Sequence, residues 1–198
     1  MHQSERKLII IRHAERPAIT DGTVGDELSL TEKGKADTLV YAENFDSEVI
    51  SIRTSPIARC VETAQIMANH WGYPAEQIQT CKKLGDPGFF ISDSELAWQN
   101  WLEKGAEAVN QYLLSGNEKW PGFVDFDMAI MEMQSLIQNT LISSRPGSQI
   151  WVTHDTILAT LASRLSTPPL SLQKWPGFLG RLELILNSEG DLNFTYRP

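Results

Sequence analysis

The sequence predicts an α/β fold. Three layers, α/β/α, are expected around a mostly parallel central sheet, in a single domain spanning residues 1–198. Three observations carry this. Short apolar runs alternate with longer stretches of helical periodicity, the pattern of strand–helix–strand units. The run at residues 7–11 is almost continuously apolar, as expected of a strand covered on both faces. Polar residues gather just after the strands, and the site of an open α/β sheet lies beyond the carboxyl ends of its strands.

Each element has its own justification. Residues 7–11 form the first strand, and a loop with Gly and Asp follows at 18–30. Thr31 reads as an N-cap with Glu32 in the first turn, and Ala36, Leu39 and Val40 give that helix its apolar face. Residues 49–53 are a second strand. Ser55 and Pro56 open the next helix as N-cap and first turn, Ile57, Val61, Ala64 and Ala68 recur at helical spacing, and Gly72 ends it. Residues 79–84 read as a third strand and 94–114 as a helix. Ile130, Met133, Ile137 and Leu141 mark an amphipathic helix closed by Arg145-Pro146-Gly147. A strand at 149–153 leads into a helix lined by Leu158, Leu161, Ala162 and Leu165. Residues 181–186 and 193–196 form a final hairpin turning at Glu189-Gly190.

Composition narrows the function. Hydrophobic residues make up 41% and charged residues 21%, an ordinary globular balance. The formal charge of −8 argues against a nucleic-acid partner, which needs a basic face. It leaves room for a small phosphorylated substrate held by a few arginines. No apolar run approaches the roughly 20 residues that span a bilayer, so no membrane partner is expected. Residues 1–7 lead straight into the first strand without a small-residue cleavage site, and a cytoplasmic location is expected. Cys60 and Cys81 form no metal or redox motif and read as reduced thiols. No metal and no other cofactor is expected.

The aromatic segment at 85–126 has two readings: ordinary core, or a partial lid with Trp98, Trp101 and Trp120 near the mouth of a site. A related echo is that residues 119–123 and 174–178 both read Lys-Trp-Pro-Gly-Phe. Two similar aromatic-pinned turns is one interpretation, and a shared aromatic wall over a pocket is the other.

Chemistry concentrates at three strand ends. After the first come Arg12, His13, Ala14, Glu15 and Arg16; after the second, Thr54, Ser55, Pro56 and Arg59; after the later one, His154 and Asp155. Singly, each has a bland explanation as a surface turn, a solvated helix residue or a hydrogen-bonded histidine. Together they bring three arginines and two histidines to one sheet edge, a costly concentration of charge unless an anion binds there. Arginine forks match phosphate oxygens in pairs. Histidine offers a nucleophilic nitrogen, neutral near pH 7, and a neighbouring carboxylic acid can protonate a leaving alkoxide.

These residues carry a resemblance. Leu8-Ile9-Ile10-Ile11-Arg12-His13-Ala14-Glu15 resembles the strand-plus-Arg-His-Gly signature of the histidine phosphatase superfamily, the group of phosphoglycerate mutases and histidine acid phosphatases. Leu30-Thr31-Glu32-Lys33-Gly34 resembles its Leu-Thr-x-x-Gly helix start, and residues 55–64 its Ser-Pro-x-x-Arg-x-x-x-Thr-Ala element. Val152-Thr153-His154-Asp155 is similar to its second histidine. The resemblance implies a phosphoglycerate mutase-like fold and a metal-independent phosphatase acting through a phosphohistidine. His13 would attack phosphorus; Arg12, Arg59 and His154 would clamp the phosphoryl oxygens; Arg16 matches an additional arginine of the acid phosphatase branch. Asp155 following the second histidine also looks like that branch and is the first choice of proton donor, with Asp86 and Glu15 as alternatives. Ala14 stands where the family usually has glycine, and Pro17 directly follows Arg16. Two other readings compete: a phosphosugar mutase or phosphohistidine-protein phosphatase, and a catalytically inactive phosphate-binding protein.

Overall fold

A computed structural model describes residues 5–19, 25–187 and 189–198. Strands β1 (Arg6–Arg12), β2 (Val49–Thr54), β3 (Gln79–Thr80), β4 (Gly147–Thr153), β5 (Arg181–Leu186) and β6 (Leu192–Arg197) form one six-stranded sheet. Its order is β3-β2-β4-β1-β5-β6. β1 to β4 run parallel, β5 lies antiparallel to β1, and β6 closes the hairpin against β5. The sheet is therefore mostly parallel, as the sequence predicted.

Alternation along β1 divides the core. Leu8 and Ile10 face a cluster completed by helices α3 (Ser94–Ser115), α4 (Phe126–Ser143) and α5 (Asp155–Leu165). Ile9 and Ile11 face a smaller cluster with Ala42 of α1 (Glu32–Glu43) and Cys60, Ala64, Met67 and Ala68 of α2 (Ala58–Trp71). Both faces are covered, which is why the strands read as apolar runs without alternation. The expected face of α4, Ile130, Met133, Ile137 and Leu141, is buried throughout.

Four local expectations are corrected. The third strand is confined to Gln79–Thr80, and Lys82–Leu84 turns as a 3-10 helix that buries Leu84. α2 starts at Ala58, three residues after Ser55, because the Ser55 hydroxyl is engaged by Gly85 and His154. Inside α3, Gly105 at φ +79° breaks the helix into two pieces. Thr31 does cap α1, accepting from the Gly34 N–H at 2.9 Å, but the apolar face was misplaced. Ala36, Leu39 and Val40 are exposed, and α1 instead buries Gly34, Thr38 and Ala42. Four-residue spacing of small side chains lets α1 press on the loop after β1. A Cβ at Gly34 would lie 2.2 Å from the Glu15 carbonyl oxygen.

Within the aromatic segment, Trp101 and Trp120 pack against the larger core cluster. The Trp120 ring stacks on Tyr112 at 4.0 Å, and Trp101 lies 5.7 Å from the fully buried Phe123. No helix among the described residues is long and apolar enough to cross a membrane.

Candidate active site

Parallel pairing in register brings three strand ends together. Arg12 pairs with Thr153 and Thr54 with Val152, so the chain leaves β1, β2 and β4 at one edge. His13 follows β1, Arg59 sits in the first turn of α2, and His154 and Asp155 open α5. His13 is held by its backbone N–H on the Thr153 carbonyl (2.9 Å). The next N–H, of Ala14, donates to Thr63 Oγ1 at 3.1 Å. Ala14 is buried and is not among the residues with positive φ, so alanine fits there without strain.

Hydrogen bonds fix both histidine tautomers. His13 Nδ1 lies 2.8 Å from the Ala14 carbonyl and must donate to it, leaving the lone pair on Nε2. Ser55 Oγ donates to the Gly85 carbonyl (2.9 Å) and therefore accepts from His154 Nε2 (3.0 Å). The His154 lone pair is then on Nδ1. Both lone pairs converge on one guanidinium: Arg59 Nε donates to His13 Nε2 at 3.2 Å, and Nη2 reaches His154 Nδ1 at 3.3 Å. Arg59 Nη1 binds the Gly25 carbonyl at 2.6 Å.

Burial, before any neighbouring group, keeps the imidazoles neutral. His13 is pushed down to about 2, first by burial and then by His154, with Arg59 and Arg12 adding to it. His154 falls to about 3, by burial and then by Arg59. The neighbouring Cys60 thiol, also buried, is raised to about 12 and stays protonated.

Arg12 is braced from the far side of the sheet. Its Nη1 donates to the Pro176 carbonyl at 2.7 Å, its Nη2 meets Asp155 Oδ2 at 3.0 Å, and the Phe178 ring lies 4.3 Å from Cζ. Trp175 Nε1 donates to the same Asp155 oxygen at 3.3 Å, while Oδ1 takes the Thr156 N–H at 2.9 Å. Arg16 turns its Nη1 to the Pro17 carbonyl at 2.7 Å. Two enclosed donors, Arg12 Nε and Arg16 Nε, have no hydrogen-bond partner among the described residues. Such groups are uncommon and call for a ligand or solvent acceptor.

The residues named from sequence thus separate. Arg59 contacts both His13 and His154, and Arg12 contacts Asp155, so these five gather at one edge. Arg16 feels the charges of Arg59 and Arg12, which, after burial, lower its pKa. Glu15 instead accepts from Thr31 Oγ1 at 2.9 Å and lies 3.6 Å from Lys33. Asp86 is exposed and 3.6 Å from Lys82. Among the described residues, Asp155 is the one of these three carboxylates that contacts an arginine of the cluster.

Sequence reasoning singled out the second Lys-Trp-Pro-Gly-Phe segment but did not tie it to Arg12 and Asp155. Its Trp175, Pro176 and Phe178 all touch Arg12 or Asp155, whereas Trp120 and Phe123 of the first copy belong to the core. The two copies do not share one wall.

Comparison with known proteins decides the family. The family model described as histidine phosphatase superfamily (branch 1) matches residues 8–186. The chain belongs to the histidine phosphatase superfamily. The branch matched is the first, although Arg16 and Asp155 resemble features of the acid phosphatase branch. Solved structures share this fold. Entamoeba histolytica phosphoserine phosphatase, in complex with 3-phosphoglyceric acid, superposes with a TM-score of 0.68 at 18% identity, covering 97% of this chain and 96% of that one. Mycobacterial glucosyl-3-phosphoglycerate phosphatase gives 0.62 at 17%, covering 98% of each. The protein histidine phosphatase SixA, complexed with tungstate, gives 0.56 at 14%, covering 96% and 95%. No curated protein matches the chain in sequence.

Proposed function

We propose that this histidine phosphatase hydrolyses a small phosphomonoester through a phosphohistidine at His13, without a metal. The observation that carries this reading is the pairing of a neutral His13 Nε2 lone pair with arginine donors, two of them unpartnered among the described residues, at one sheet edge.

The reaction runs in two displacements. His13 Nε2 attacks phosphorus as the phosphorus–ester oxygen bond breaks. Arg12, Arg16 and Arg59 neutralise the phosphoryl oxygens, where fixed donors act most strongly in a site shielded from water. Arriving phosphate replaces the histidines as the acceptor of Arg59. It also draws Arg12 Nη2 from Asp155, and that freed carboxylate takes the remaining proton of the phosphomonoester monoanion and passes it to the leaving alkoxide. Water then attacks the phosphohistidine, Asp155 takes up its proton, and phosphate leaves as the His13 lone pair is restored.

Hydrolysis of p-nitrophenyl phosphate in EDTA, from roughly pH 4 to 8, tests this. Turnover in EDTA that disappears in His13→Ala is expected. Full activity in that variant would overturn the assignment. Phosphate binding without turnover of any ester would favour the inactive reading, and transfer to a second sugar in preference to water would favour a mutase.

A further inference from the structure

The chemistry above leaves one aromatic ring at the site unexplained. Phe178 stands 4.3 Å from Arg12 Cζ, and its ring centroid is 5.9 Å from that of His13. A ring that only shielded Arg12 from water would itself be covered. Phe178 is 39% exposed, although large apolar side chains normally bury themselves.

The backbone holds it there at some expense. Leu179, the next residue, sits at φ +59°, a conformation that β-carbon-bearing residues avoid. That twist sends Leu179 against the smaller core cluster while Phe178 lies over Arg12. The segment is tied on both sides: the Lys174 carbonyl accepts from the Tyr196 hydroxyl at 2.7 Å, and the Gly180 carbonyl accepts from the Arg12 N–H at 2.9 Å. Strain retained beside reacting groups points to a role in the site.

Gly25, whose carbonyl binds Arg59, is followed by the exposed Asp26 and Glu27. An exposed apolar ring gives a second anionic group on the substrate no partner and favours an apolar one.

We propose that Phe178 is a specificity-determining residue whose exposed face packs against the alcohol half of the ester, and that this half is apolar, best of all aromatic. This rests on the phosphatase reading above and names its substrate class.

Benzyl phosphate and glycerol 3-phosphate test it, because both release alkyl alcohols and differ mainly in the apolar ring. Wild-type enzyme should give a higher kcat/KM for benzyl phosphate. In Phe178→Ala the benzyl-to-glycerol ratio should fall about 3- to 10-fold, the scale of an aromatic contact, chiefly through KM for the benzyl ester. Phe178→Leu should retain part of the preference. Inhibition by tungstate reports the phosphate clamp separately. An equal loss on both esters, or a wild-type preference for glycerol 3-phosphate, would overturn the inference while leaving the phosphatase reading intact. Turnover of neither ester, with no difference between wild type and His13→Ala on p-nitrophenyl phosphate, would instead remove the reading beneath it.

Discussion

At the scale of single residues, the site is organised around the protons that its histidines lack. His154 has its lone pair on Nδ1, facing Arg59, and its neutrality follows from burial and then from positive neighbours. A bound dianion reverses the second influence. Tungstate, dianionic near neutral pH, should therefore bind with uptake of up to one proton, as His154 Nδ1 becomes a donor to an oxyanion. Calorimetric titration in two buffers of different ionisation enthalpy reads that proton directly. His154→Gln should abolish the uptake; an unchanged uptake would move the proton elsewhere. Arg59→Gln removes the guanidinium that spans both histidines, and kcat should fall about 100- to 1,000-fold, the usual loss when one preorganised oxyanion donor is deleted. Asp155→Asn should slow alkyl esters far more than p-nitrophenyl phosphate, whose leaving group needs no proton. Equal slowing of both would shift the proton donor to another group.

At the scale of elements, close backbone approach sets the geometry. Gly85, at φ +138°, lies so near His154 that a Cβ there would be 2.3 Å from its Cδ2 and 2.4 Å from its Nε2. Gly85→Ala should displace the His154 ring and break its bond to Ser55, so kcat should drop at least about 10-fold while the chain stays folded. Circular dichroism beside kinetics separates that from unfolding. The same scale explains what the sequence revealed and what it hid. Arg12, His13, Arg59 and His154 were legible because they lie at or just after the carboxyl ends of parallel strands, the edge where α/β sheets place their sites. The contacts of Trp175, Pro176 and Phe178 with Arg12 and Asp155 were not, because these residues precede a strand. β5 runs antiparallel, with Arg181 opposite Ile11, so the loop entering it arrives where parallel strands deliver the loops leaving them. The misplaced face of α1 has another cause. Counting apolar residues selected Leu39 and Val40, but tight helix packing selected Gly34, Thr38 and Ala42 by size. The long run of helix at α3 was legible, and its interruption at Gly105 was not, since a lone glycine within a helical pattern is usually tolerated.

At the scale of the whole molecule, the site is tied to stability through pH. His13 and His154 titrate near 2 and 3 in the folded protein and near 6.5 in an unfolded chain. Above the unfolded value both states are neutral, and the contribution of these groups is fully present. As pH falls below about 6.5 the unfolded chain binds protons that the folded protein refuses, so stability declines until the folded values are reached. Each histidine can contribute a slope of at most about 1.4 kcal/mol per pH unit. Carboxylates enter mainly below about pH 5, which leaves the interval between roughly 6.5 and 5 dominated by the histidines. Urea unfolding across that interval should show wild-type stability falling with pH. His13→Gln, which removes one titrating group and keeps a neutral side chain, should show a shallower fall, whatever its stability at pH 7. Bound tungstate should flatten the wild-type slope as well, since protonated His154 is then the favoured folded form. A steep slope that persists unchanged in both cases would mean that the acid sensitivity comes from outside the site, and that these imidazoles are less shielded than their burial indicates.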